Sequence, residues 1–110
     1  MSWLMREGEV LAAVEVAESR KARRKGLLGR DGVDGALLLQ PARLGVHSFR
    51  MRFPLDVAFC DRDFVVRRVV CLRPWRITRP SPFAPCVIEA EAGAFERWRL
   101  LPGDHLEIKE

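Results

Sequence analysis

The stretch from Val46 to Phe59 constrains this chain more than any other. Read with period two, His47, Phe49, Met51 and Phe53 point one way and Ser48, Arg50 and Arg52 the other, the alternation of a half-buried strand. Pro54 cannot donate to a ladder, so pairing is expected to stop there. Beyond it Leu55, Val57 and Phe59 fill one face, with Asp56, Ala58 and Cys60 on the other. A chain organised around such a bent ribbon folds as sheet.

The flanking sequence supplies more strands. Glu9 to Val16 alternates with Val10 and Val14 as branched residues, and Ala36–Gln40 is a short apolar run halted by Pro41. Asp61, Arg62 and Asp63 form a hairpin tip from which Phe64 to Leu72 returns. A three-residue loop there sets Cys60 against Phe64, places Asp56 opposite Arg68 and puts Asp63 in the left-handed position. Cys86–Glu91 and His105–Ile108 complete the set. Two short helices are expected, one from Ser19 as N-cap through Leu28, the other over Ala94 to Leu100 with Phe95 and Trp98 inward. Asp31 to Gly35 and Pro102 to Asp104 are turns. The fold class is therefore mainly β, a single-domain antiparallel sandwich or distorted barrel with two short helices spanning residues 1–110.

A chain of 110 residues with 48% hydrophobic content is long and apolar enough for one core. Charges interrupt the amino-terminal apolar run too early for a signal peptide, and no apolar stretch is long enough for a membrane span. Cys60, Cys71 and Cys86 are odd in number and contain no C-x-x-C pair, so reduced thiols are expected, Cys60 and Cys71 buried, in a cytoplasmic protein. His47 and His105 have no partner at ligand spacing; no metal and no cofactor are called for.

Read in order, Leu27-Leu28-Gly29-Arg30, Gly35 to Leu39, Ser48-Phe49-Arg50-Met51, Pro54-Leu55-Asp56, Val87 to Ala90 and Pro102-Gly103-Asp104 resemble the domain-of-unknown-function 192 family along nearly the whole chain. The resemblance implies a compact, mainly β domain and no settled activity. Many members carry an export signal. The chain departs from the pattern where Arg50 replaces a tryptophan, where an Asn-Thr step before Pro54 is absent, and where Phe64 replaces a glycine after Asp63. A ligand contact made through that polar step is then not available here in the same form.

Three titratable groups invite a catalytic reading. Asp56 lies among apolar neighbours, where a carboxylate needs a partner such as Arg68 or backbone amides, or else serves as a base with a raised pKa. His47 is either a core histidine or a proton carrier beside Asp56, and Glu89 is either on a solvated face with Glu91 or part of a carboxylate pair with Asp56. Ser48 lies in no nucleophile elbow. The basic region offers a different chemistry. Arg52, Arg68, Arg73, Arg76 and Arg79 can grip phosphate or carboxylate, and Trp75 gives a stacking plane. With a net charge of +4, the favoured reading is a non-catalytic binding module for an anionic small molecule or an acidic protein surface. Nucleic acid ranks lower because no nucleic-acid motif is present. The competing reading is an enzyme using Asp56 with His47 or Glu89 for acid–base chemistry.

Overall fold

The structure, a computed structural model, describes residues 2–17, 35–42, 45–49 and 51–110. The helix expected from Ser19 and all but Gly35 of the turn before Ala36 lie outside these residues. Among the described residues there are seven strands: β1 (Ser2–Arg6), β2 (Glu9–Ala17), β3 (Ala36–Leu39), β4 (Leu55–Cys60), β5 (Val66–Leu72), β6 (Cys86–Glu91) and β7 (Leu106–Lys109). One short helix, α1 (Ala94–Trp98), lies between β6 and β7. The strands form one sheet in the order β5-β4-β6-β3-β2-β1-β7.

The central strands are the apolar runs. Every residue of β3 and β4 is buried, as is all of β6 except its last residue, because both faces of the sheet are covered. β1 was not evident from the sequence. It joins β2 through Glu7 and Gly8, whose φ of 49° and 81° give the turn that suits the twist of a two-residue hairpin. β2 and β3 run parallel, so the sheet is mixed and not wholly antiparallel. A parallel neighbour needs a long crossover, and the separation in sequence between Ala17, where β2 ends, and Ala36, where β3 begins, is long enough for one.

The sheet curls until its two edges meet at one corner. There Val66 N–H donates to Asp104 O (2.8 Å), Gly103 N–H to Val66 O (2.7 Å) and Leu106 N–H to Phe64 O (2.9 Å). The result is a half-barrel, and its inner core draws on every strand through Leu4, Val14, Leu38, Ala58, Val66, Ile88 and Leu106. Phe95 of α1 plugs that interior. The outer face carries a second core of Leu39, Leu55, Val57, Phe59 and Val87, roofed by Val46, Met51 and Ala84 from the loops. The alternation of β4 is as its sequence predicts, with Leu55, Val57 and Phe59 outside and Ala58 and Cys60 inside.

Three local expectations are corrected. In the β4–β5 hairpin Cys60 pairs with Val66, Asp56 with Cys71 and Phe59 with Arg68, so Asp56 and Arg68 leave opposite faces of the sheet. The loop is longer than expected because Asp61 Oδ1 accepts the amides of Asp63 (2.9 Å) and Val65 (3.1 Å). Phe64, not Asp63, takes the left-handed conformation (φ 61°). Residues 47–49 and 51–53 do not form the expected strand: Met51 N–H donates to Ser48 O (3.1 Å), closing a turn. That turn buries Ser48 and Met51 and exposes His47 and Phe49. Finally, Cys60 and Cys86 are buried partners across β4 and β6, whereas Cys71, on an edge strand, is exposed.

Candidate functional site

The three catalytic candidates do not converge. Asp56 turns inward from β4, where its Oδ2 accepts the amides of Gly93 (2.9 Å) and Phe95 (3.1 Å). These are donors that the start of α1 cannot satisfy within itself, so the carboxylate closes the helix onto the sheet. Glu89 sits one register position from Asp56 on β6, between Val57 and Leu37, and therefore points to the outer face. It is only 3% exposed, and burial pushes its carboxyl up from the usual 4.5 to about 7. Glu91, next on the same face, is exposed. His47 lies on the surface, stacked on Phe49 with ring centroids 5.0 Å apart. Among the described residues no cluster of three His, Cys, Asp or Glu side chains is arranged to hold a metal ion.

The basic residues, by contrast, gather around two loops that are laced together. Val46 O accepts Thr78 N–H (2.8 Å), and Val46 N–H donates to Thr78 Oγ1 (2.9 Å). His47 and Ile77 form an antiparallel bridge. Ser48 N–H donates to Arg76 O (2.8 Å), and Ser48 O accepts Trp75 N–H (2.9 Å). The Ser48 hydroxyl accepts Arg76 N–H (2.9 Å) and donates to Arg73 O. Gly45 permits this approach: a Cβ there would meet Thr78 Oγ1 at 2.8 Å, and its φ of 94° suits glycine. The lacing is made almost wholly of backbone groups and two small buried hydroxyls.

It holds a run of rings in solvent. Trp75, at a left-handed φ of 63°, is 58% exposed, and its ring lies 6.3 Å from that of Phe49, which is 42% exposed and also stacks with His47. Ile77 (66% exposed) extends the patch. Arg73, Arg76 and Arg79 are exposed along the same loop. The ion pairs among the described residues gather elsewhere, at Arg6 with Glu9 and Asp104 and at Arg67 with Asp61. Arg52 is also exposed, at the far end of the other loop. Arg68 is tied to the sheet and to the end of this loop. Its guanidinium lies 4.1 Å from the centre of the Phe59 ring and donates to Ser81 Oγ (2.7 Å) and Arg79 O (3.2 Å). Desolvation, then the charge of Arg79, lowers its pKa from the ordinary value.

Sequence reasoning placed Phe49 and His47 inward, and it weighed Ser48 only as a nucleophile and set that role aside. The signal it lacked was the turn at Ser48, which breaks the period of two. The prolines from Arg73 to Pro85 exclude helix and central strand, and that ordered stretch is the second half of the clasp.

Comparison with known proteins agrees with the fold and its motifs. The DUF192 family model, described as an uncharacterised ACR, matches residues 3–108. The chain belongs to the DUF192 family. A UPF0127 protein of Pyrococcus abyssi is 32% identical over 98 residues, covering 86% of this chain and 84% of the relative. A UPF0127 protein of Pyrococcus horikoshii is 32% identical over 111 residues, covering 97% and 90%. Among solved structures, a protein of unknown function from Novosphingobium aromaticivorans superposes with a TM-score of 0.81 at 21% identity, covering 96% of this chain and 82% of that one. A protein from Sinorhizobium meliloti 1021, described as a "putative transcription regulator", gives 0.78 at 24% identity, covering 96% and 90%. At these identities the two structures share the DUF192 fold and carry no more than that. No helix among the described residues is long and apolar enough to cross a membrane.

Proposed function

We propose that this DUF192 chain is a non-catalytic binding module for an anionic ligand or partner, with the clasped loops 45–49 and 73–79 as its contact surface. The observation that carries this reading is the exposed ring of Trp75, held beside Phe49 and flanked by Arg73, Arg76 and Arg79. Guanidinium groups bind phosphate and carboxylate through paired donors, and a net charge of +4 favours the approach of an anion. Arg68 supports the surface by holding the Arg79 carbonyl.

The acid–base alternative has little to assemble. Asp56 is engaged by two amides inside the half-barrel, His47 lies out among the aromatic rings, and Glu89 faces the other side of the sheet from Asp56. The raised pKa of Glu89 remains its one support.

The test is titration with inorganic polyphosphate over a range of salt. Affinity should fall steeply as salt rises, and Arg76→Glu combined with Arg79→Glu should abolish binding while leaving the unfolding midpoint nearly unchanged. Binding that persists in the charge-reversed protein would overturn the reading.

A further inference from the structure

The surface holds more flat ring area than recognition of a simple anion requires. From the sequence alone one ring, Trp75, was visible in the basic loop, and nucleic acid ranked low. The structure adds two. His47, Phe49 and Trp75 form a continuous run with centroid spacings of 5.0 and 6.3 Å, and all three side chains meet solvent. Large apolar rings left in water are unfavourable unless something covers them. Arginines recur at every third position of the loop that carries Trp75, at 73, 76 and 79.

We propose that the anion taken by this surface is a single-stranded nucleic acid, its bases stacking on Trp75 and Phe49 while Arg73, Arg76 and Arg79 hold its phosphates. This rests on the anion-binding reading above and deepens it. A flat π-face beside guanidinium groups is the pairing that unstacked bases on a phosphate chain require, and it needs no hydrogen-bond code because every base has such a face. An acidic peptide would satisfy the arginines and leave the rings uncovered. A duplex would satisfy the phosphates, but its bases are already stacked on one another and leave no free face for the rings, and the one helix among the described residues, α1, packs Ala94 and Phe95 against the inner core. The rigidity of the clasp fits this use. Trp75 N–H and the carbonyls of Arg73 and Arg76 are all held by Ser48, so the backbone that carries the ring is fixed before a ligand arrives.

The experiment compares probes of matched charge on the intact chain: a labelled oligo(dT), a duplex of the same length, inorganic polyphosphate and poly-glutamate, by fluorescence anisotropy and competition. The wild-type protein should prefer oligo(dT) to the other three. Trp75→Ala should weaken oligo(dT) about tenfold, the usual scale for a lost stacking partner, while polyphosphate binding stays as it was. Trp75→Phe should restore most of the loss. Equal affinity for oligo(dT) and polyphosphate, with neither changed in Trp75→Ala, overturns the nucleic-acid proposal and leaves the anion reading standing. A preference for poly-glutamate or duplex overturns it as well. Failure to bind any of the four overturns both readings.

Discussion

Ser48 and Arg76 hold each other twice: the Ser48 amide donates to the Arg76 carbonyl at 2.8 Å, and the Arg76 amide donates to the Ser48 hydroxyl at 2.9 Å. Ser48 is fully buried, so water cannot replace its hydroxyl in this clasp. Ser48→Ala should therefore strand the Arg76 amide and destabilise the protein by about 1–3 kcal/mol. Anion binding should weaken more than the stability change explains, because the backbone that carries Arg73 and Arg76 loses its anchor at the Ser48 hydroxyl. Urea denaturation and polyphosphate titration on the same preparation check both. An alanine variant with unchanged binding would show that the clasp does not position the surface.

Asp56 should behave as a helix cap and not as the partner of Arg68. Asp56→Ala leaves the amides of Gly93 and Phe95 without an acceptor, at about 1–3 kcal/mol, and Asp56→Asn, which keeps an accepting oxygen, should lose less. Because Asp56 and Arg68 leave opposite faces of the sheet, Asp56→Leu with Arg68→Met should be additive within about 0.5 kcal/mol. A double-mutant cycle by chemical denaturation gives the number. Strong coupling would contradict the register described here.

Glu89 should make stability depend on pH. Its carboxyl binds a proton more tightly in the fold, where burial raises the pKa to about 7, than in the unfolded chain near 4.5. Stability from this group is thus intact below pH 4.5, declines as pH rises between the two values and levels off above about 7. The full difference is about 3 kcal/mol. Glu89→Gln should be stabilised relative to the parent at pH 8 and lose that advantage by pH 5. Denaturation curves at a series of pH values read this directly, and a parallel pair of curves would remove Glu89 from any account of proton chemistry.

The thiols should divide by exposure. Cys71 is open to solvent, whereas Cys60 and Cys86 are buried and desolvation, followed by the nearby Cys86 and Asp61, pushes the Cys60 thiol up to about 12. Ellman's reagent should react promptly at Cys71 and reach the other two only on unfolding. Fast labelling of all three would indicate a sheet that opens far more readily than its core implies.

What could be read in advance followed the local physics. β3, β4 and β6 are apolar runs ended by Pro41, Asp61 and Gly93, and such runs bury themselves wherever the chain goes. The register of β4 against β5 was not legible, because it depends on how the Asp61 side chain gathers the amides of Asp63 and Val65. β1 escaped because its pattern is short and ends in charges; its place is set by pairing with β2 and β7. The basic loop was legible as a surface feature from its prolines and arginines. Its aromatic half was not, since the outward turn of Phe49 comes from long-range bonds to residues 75 and 76.

The most direct test of the clasped-loop surface is a residue-by-residue map of where an anion binds. Amide and indole NMR shifts should be followed as inorganic polyphosphate is added to the intact chain. The account predicts saturable changes at Phe49, the Trp75 indole, Arg76 and Ile77, with the inner-core amides of β1 and β7 unmoved. Changes centred instead on the recess between Glu91, Arg97 and Trp98, or none at saturating polyphosphate, would contradict it.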